Sequence, residues 1–370
     1  MDKNKRLTVW LPVIIAASIA LGIFIGNHYL SISQGKKRSY SSGNKINAIL
    51  DIIDEQYVDT VSMSKLVEST IPKIFSELDP HSVYIPAEDA SVVNEELEGS
   101  FSGIGVSFNM QTDTILVISV ISGGPAEKAG LLPFDRIISI NDSIFSGKKK
   151  NQGEIMKTLR GAKNSTVKLG VQRGNSPELL YFDVTRGDVP VNSVDVSYEA
   201  AKGIGYIKVS KFARNTYNEF ITAIAKLKQA GCTSFVIDLR GNTGGYMDAA
   251  INMINEFMPE GRLIVYTEGK SFPRSDVYAN GTGTCKDAPI VVLTDEISAS
   301  ASEIFSGAIQ DNDRGTIIGR RTYGKGLVQT QMSLSDGSEM RLTIARYYTP
   351  SGRCIQKKYE MGNTGAYDQD

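Results

Sequence analysis

Histidine and cysteine are the scarce residues of this 370-residue chain. It has two histidines, His28 and His81, and three cysteines, Cys232, Cys285 and Cys354. A zinc site would need both histidines or recruit thiolates. The cysteines stand far apart with no Cys-x-x-Cys pair, so no metal centre is expected. An odd cysteine count leaves at least one thiol outside any intrachain pairing, and no disulfide framework is implied. A Ser-His-Asp triad would have to use His81, because His28 lies at the edge of an apolar N-terminal segment. Loop histidines in polar settings more often serve as structural hydrogen-bond partners. Excess charge is also missing. The formal net charge is -1, which removes nucleic acid from the expected partners. With 41% apolar and 22% charged residues, the composition is that of a folded protein of two or three domains.

Lys3, Lys5 and Arg6 precede an apolar run from Leu7 to Ile25. A helix of roughly 20 residues crosses a bilayer, and basic residues ahead of it place the N-terminus in the cytoplasm. No clean Ala-x-Ala follows, so an uncleaved anchor is preferred to a cleaved signal. In either case the bulk of the chain is exported, which for a bacterial envelope means the periplasmic side of the inner membrane. Residues 34–44 are polar, basic and serine-rich, as in a flexible linker.

Apolar residues at Ile46, Ile49, Leu50 and Ile53, and again from Leu66 to Leu78, predict two amphipathic helices around a turn near residues 58–62. Pro80 disfavours helix at Asp79 and should end the second. Strands are expected at 105–109, 115–120, 136–140, 166–172 and 179–185. Short helices are expected at 125–129, with Gly130 as the stop, and at 153–159. Within this region, Gly103, Ile104, Gly105 and Val106 suit a nest of backbone N–H groups for a terminal carboxylate. The strand that follows would offer its edge to an extended peptide. Together with Gly-Gly-Pro-Ala-Glu-Lys-Ala-Gly-Leu and Asp-Arg-Ile-Ile-Ser-Ile-Asn-Asp, the stretch resembles a PDZ domain, which implies recognition of peptide C-termini.

Beyond residue 188 strands and helices alternate. Strands are expected at 203–209, 232–239 and 290–293, and helices at 215–229, 246–257 and 301–310. Two strand-turn-helix units in succession indicate an α/β core, in which ligands gather beyond the carboxyl ends of the strands. Gly241-Asn242-Thr243-Gly244-Gly245 superficially matches the turn around a chymotrypsin-type serine. Here Thr243 holds the nucleophile position, and the turn follows a buried strand and opens a helix, which is the wrong architecture.

Ser300-Ala301-Ser302-Glu303 fits a capping box, so Ser300 reads equally as a helix cap and as a nucleophile. Lys325 lies between two glycines and, on an extended strand, would share a face with Gln329. A solvated loop lysine is the ordinary alternative. Desolvation favours the neutral amine, however, and a chain with two histidines leaves a serine enzyme few other bases. Gln329 would then hold the amine without adding charge.

At these residues the likeness becomes specific. Ser-Ala-Ser-Ala-Ser-Glu, Gln-Asp-Asn and Thr-Tyr-Gly-Lys-Gly-Leu-Val-Gln resemble the carboxy-terminal processing peptidase family of serine proteases. So do Leu-Asp-Pro-His-Ser, Gly-Ile-Gly-Tyr-Ile, Asp-Leu-Arg-Gly-Asn-Thr-Gly-Gly and Tyr-Tyr-Thr-Pro-Ser-Gly-Arg. The resemblance implies Ser300 as nucleophile, Lys325 as base and Gln329 as support. It implies oxyanion donors on Ala301 and on Gly244 or Gly245, and a structural role for Asp311. No cofactor is implied. Two departures stand out: Asn-Thr-Gly-Gly in place of the usual Asn-Pro-Gly-Gly, and no Gly-x-x-Pro-Asp strand after the Thr-Pro-Ser-Gly-Arg turn.

The expected fold is a multidomain α+β/α/β chain, with a core resembling the ClpP/crotonase-like fold. Residues 1–28 are the stub and anchor, 29–44 a linker and 45–96 a helical region. The PDZ module spans 97–187 and the peptidase core 188–370. The expected partners are polypeptides with accessible C-terminal tails and the membrane, with a homo-oligomer or an adaptor protein left open. A peptide-binding scaffold on an inactive protease fold is the alternative. An acyl-transfer enzyme on the same core fits the PDZ module poorly.

Overall fold

The computed structural model describes residues 16–23, 42–111, 114–147, 152–362 and 367. Residues 16–23 form a helical stretch, α1. Most of the expected membrane segment lies outside the described residues. Among those described, no helix is long and apolar enough to cross a membrane. The chain divides into residues 1–70 and 71–370. In the first unit, α2 (Ser42–Gln56) follows the predicted three- and four-residue spacing of its isoleucines. Helix α3 (Met63–Ser76) runs on into the second unit.

Helix α3 stops three residues short of Asp79, earlier than Pro80 alone dictates. The Asp79 side chain closes the turn instead. Its Oδ1 accepts the amides of His81 and Ser82, each at 3.0 Å, and its Oδ2 accepts the Ser82 hydroxyl at 2.6 Å. Strand β1 (Val83–Ile85) and helix α4 (Ala87–Glu98) follow, and α4 ends at Gly99 in the left-handed conformation.

The β-rich module starts with β2 (Ser100–Gly103), which pairs antiparallel with β9 (Gly187–Pro190) and brings the module's two ends together. Between them lie β3 (Val106–Gln111), β4 (Thr114–Val120), α5 (Pro125–Ala129), β5 (Arg136–Ile140), β6 (Ser143–Ile144), α6 (Gln152–Leu159), β7 (Thr166–Gln172) and β8 (Leu180–Thr185). The sheet order is β3-β4-β5-β7-β8, with β6 beside β5. Ile104, Val117, Ile137, Ile155, Leu169 and Val184 form its own buried core. Strands β3, β4, β5, β7 and β8 and helices α5 and α6 follow the expected positions to within about two residues, whereas β2, β6 and β9 have no counterpart among the expected elements.

The α/β core is built on β10 (Val194–Ala201), β11 (Ile204–Val209), β12 (Ser234–Asp238), β15 (Ile290–Thr294) and β16 (Thr316–Gly319), paired in that order. From β11 to β16 the pairing is parallel. Helices α7 (Thr216–Gln229), α8 (Met247–Asn255) and α9 (Ala301–Asp311) supply the crossovers. Phe220, Phe235, Phe257 and Phe305 meet edge to face in the core.

A second sheet stands outside the sequence expectation. It joins β1 to β18 (Glu339–Tyr348), β18 to β13 (Leu263–Glu268) and β13 to β14 (Ser275–Tyr278), and β17 (Leu327–Ser333) also pairs with β18. The turns that follow β12 and β15 are hydrogen-bonded to each other, Ala299 N–H to the Asn242 carbonyl, and line one cleft with residues of β17 and β18.

Candidate active site

The turn after β12 and the turn after β15 are tied together by polar groups. Asp295 accepts the amide of Gly241 at 2.9 Å and that of Ser298 at 3.0 Å. Burial works against its charge, but these bonds prevail and hold its pKa below the usual carboxylate value. Ser298 Oγ donates to the Leu239 carbonyl at 2.8 Å, and Ser302 Oγ to the Asn242 carbonyl at 2.9 Å. Both serines are fully buried. The serine cluster thus divides by role: Ser298 and Ser302 bind the neighbouring turn, and Ser300 faces a cleft.

That cleft has a volume of about 860 Å3, and Ser300, Lys325, Gln329, Gly244 and Gly245 all line it, together with Tyr246, Arg341 and Tyr347. Ser300 holds φ at 55° and ψ at -113° at the N-terminus of α9. A non-glycine residue at such angles is strained and is kept there by its surroundings. Glu303 Oε2 accepts the Ser300 amide at 2.8 Å, the reciprocal half of the expected capping box.

The glycine turn presses directly on the serine. A Cβ added to Gly244 would meet the Ala299 carbonyl oxygen at 2.7 Å and Ser300 Cβ at 2.8 Å. The Gly244 amide is already committed to Asn242 Oδ1 at 2.8 Å. The amides of Gly245 and Ala301 donate to nothing among the described residues. Of the two glycines lining the cleft, Gly245 is thus the one whose amide is open among the described residues, as is that of Ala301.

Lys325 sits in the turn leading to β17 and is half-buried. Burial lowers its pKa from the ordinary lysine value. The charge of Arg341 adds to that, and Asp79 and Glu303 pull weakly the other way. Among the described residues its Nζ makes no hydrogen bond or ion pair.

The expected strand geometry for Lys325 and Gln329 needs correction. Strand β17 begins at Leu327, after the lysine, and a bulge falls between Val328 and Gln329. The bulge breaks the alternation on which a shared face depends. Both residues reach the cleft, but Gln329 Nε2 donates to the His81 carbonyl and not toward the lysine. His81 enters through its backbone. Its ring bonds the Tyr367 hydroxyl at 3.0 Å.

Two further residues escaped the sequence reading. Glu303, 2% exposed, takes four donors: the amides of Ser300, Gly324 and Lys325 and the Thr322 hydroxyl, at 2.7–2.8 Å. Burial raises its pKa against these four bonds. Tyr347, also 2% exposed, places its hydroxyl at the carbonyls of Ser300 and Lys325. Glu303 had been visible only as a partner in a capping box. Tyr347 lay within a motif that gave no hint of burial.

The lysine turn has a further brace. Gly326 N–H donates to Gln356 Oε1 and Lys357 N–H to the Gly324 carbonyl, each at 2.9 Å. The segment after the Thr-Pro-Ser-Gly-Arg turn therefore lies along Gly324–Gly326. Asp311 is remote from the cleft. It accepts Ser351 Oγ at 2.6 Å and the Arg353 guanidinium, and so holds that same turn. In the β-rich module, Gly105 takes φ of 78°, and the amides of Ile104 and Gly105 donate to nothing among the described residues. Gly103 closes β2, and Val106 opens β3 at the sheet edge.

Residues 203–363 match the family model described as Peptidase family S41, and residues 102–195 match that of a PDZ domain. The carboxy-terminal processing protease CtpB of Bacillus subtilis (strain 168) is 35% identical over 318 residues, 85% of this chain and 66% of that protein. A probable CtpA-like serine protease of Staphylococcus aureus (strain N315) is 33% identical over 365 residues, 96% of this chain and 72% of that protein. The chain thus spans about two thirds of the length of these relatives. Among solved structures, the photosystem II D1 C-terminal processing protease is similar over 86% of this chain and 91% of its own, at 28% identity and a TM-score of 0.48.

Proposed function

The chain belongs to peptidase family S41 and carries a PDZ domain, and on that premise we propose that it is a serine endopeptidase using Ser300 as nucleophile and Lys325 as base. One observation carries the reading: a half-buried lysine without an ion-pair partner among the described residues shares a cleft with a serine at a helix N-terminus. Neutral Lys325 takes the proton as Ser300 Oγ attacks the scissile carbonyl. The oxyanion that forms is received by the amides of Ala301 and Gly245. The resulting ammonium returns its proton to the leaving amine, and the acyl-enzyme is hydrolysed by a water that Lys325 deprotonates.

The substrates proposed are polypeptides of exported proteins, delivered by their C-terminal tails through Ile104, Gly105 and the edge of β3. The run Leu7–Ile25 behind Lys3, Lys5 and Arg6 supports an inner-membrane anchor with the catalytic part in the periplasm. Cleavage of that segment would make the chain a secreted one.

Ser300→Ala and Lys325→Ala are each expected to abolish cleavage of an unstructured polypeptide while the cooperative fold persists. Substantial activity of Lys325→Ala at pH 7 would rule out the dyad. A peptide-tethering scaffold is the second reading, favoured by the engagement of Gln329 with His81 and not with Lys325. Equal products from the wild-type chain and Ser300→Ala would select it.

A further inference from the structure

Lys325 stands between two glycines, so its own stretch of backbone has little intrinsic restraint. Buried side chains supply it from both sides. Glu303 accepts the Lys325 amide at 2.8 Å and so fixes the peptide plane before the lysine. Tyr347 and Gln356 hold the plane after it, Tyr347 at its carbonyl and Gln356 Oε1 at the Gly326 N–H. The Tyr347 hydroxyl donates to the Lys325 carbonyl, and its backbone N–H donates to the Gly326 carbonyl at 3.0 Å.

The same hydroxyl stands 3.1 Å from the Ser300 carbonyl oxygen. That oxygen already receives the amides of Glu303 at 2.8 Å and Ile304 at 2.9 Å. The Lys325 carbonyl has no other donor among the described residues. A phenol has one proton to give, and the hydrogen-bond inventory assigns it to the lysine. Burial pushes the phenol well above its ordinary pKa, so it stays a donor at working pH.

We propose that Tyr347 is a positioning residue, whose hydroxyl sets the direction in which the Lys325 side chain leaves the backbone and thereby its approach to Ser300 Oγ. This role rests on Ser300 and Lys325 being nucleophile and base. A misplacement of about 1 Å in a reacting group costs on the order of 100-fold in rate. A residue that only filled the core would change stability and leave turnover per folded molecule alone.

The test uses the full chain and an unstructured fluorogenic peptide. Tyr347→Phe is expected to lower kcat by at least ~30-fold with KM within about threefold of wild type. Introducing 4-aminophenylalanine at the same position restores a donor and is expected to recover at least ~10-fold of that loss. If the phenylalanine chain lacks a cooperative unfolding transition, 4-methylphenylalanine, which fills the hydroxyl's place without a donor, takes its part in the comparison. Unchanged kcat in the donorless chain, with Ser300→Ala and Lys325→Ala inactive, overturns the positioning role and leaves the peptidase reading intact. Activity retained by Ser300→Ala or Lys325→Ala removes the dyad, and the positioning role falls with it.

Discussion

Lys325 shows how one residue's chemistry is written into stability. Burial, reinforced by Arg341, holds its pKa below the ordinary lysine value. Between that lowered value and the unfolded one, the folded chain binds fewer protons than the unfolded chain. Stability therefore rises with pH across this window and is diminished below it. Lys325→Met is expected to raise stability at pH 7 and to remove this part of the pH slope. Urea unfolding at pH 7 and at pH 10 measures both, and an unaltered slope would argue against a perturbed lysine. Activity carries the same sign: the neutral amine is the base, so kcat/KM should climb with pH through the lowered pKa. Glu303 is the complementary case, an acceptor to four donors. Glu303→Gln turns one acceptor oxygen into an NH2 that faces N–H and O–H groups. A loss of about 2–4 kcal/mol in stability and a kcat lower by ~100-fold are expected. A near-normal kcat in the folded variant would show that Ser300 and Lys325 do not depend on this clamp.

At the level of elements, the site is a junction of turns, and its glycines separate into those under pressure and those that are free. Gly244, at φ of 102°, would drive a Cβ into Ala299 and Ser300. Gly241, at φ of 74°, has nothing within 4 Å of an added Cβ. Gly244→Ala should therefore displace the nucleophile and lower kcat by ~100-fold, whereas Gly241→Ala should cost only about 1 kcal/mol of backbone strain and retain activity. Equal kinetic effects in the two variants would mean that the pressed turn does not position Ser300. These contacts also mark where sequence reading reaches its limit. Strands β11, β12 and β15, the three core helices and most of the β-rich module carry apolar patterns and glycine stops, so they were legible, whereas β10 and β16 at the edges of the core sheet and the β2–β9 ribbon were not. The second sheet as a whole was not either, because its strands pair across the chain, Val83 with Arg341, and its edge strands β1 and β14 are only three and four residues long. The bulge at Gln329 is equally silent. The choice of Gly245 over Gly244 as open donor turns on where the Asn242 side chain points, and spacing carries no trace of that. Ser300 was already singled out by the resemblance, and the structure adds the role of its neighbours, since the hydroxyls of Ser298 and Ser302 are bonded to the neighbouring turn.

At the scale of the whole molecule, the two family matches fall on regions with separate apolar cores, and this separation has a physical consequence. Ser100 pairs with Pro190 in the β2–β9 ribbon, so the module's ends are adjacent and excision there severs no strand of its sheet. Val117, Ile137, Val167, Leu169, Val171 and Val184 are wholly buried within it, each adding roughly 1.5–3 kcal/mol of burial. Residues 100–190 expressed alone are expected to unfold cooperatively. Recognition should then survive excision, because the groups proposed for it are local. The amides of Ile104 and Gly105, which donate to nothing among the described residues, immediately precede the edge strand β3, and successive free amides of this kind favour an anion. A peptide with a free C-terminal carboxylate should bind the excised module at least ~10-fold more tightly than its C-terminal amide, a difference of about 1.4 kcal/mol. Calorimetric titration of the two peptides reads that ratio directly. Equal affinities would mean that β3 takes extended chain without reading its end, and the tail-directed delivery proposed for the peptidase would have to be replaced by recognition of internal segments.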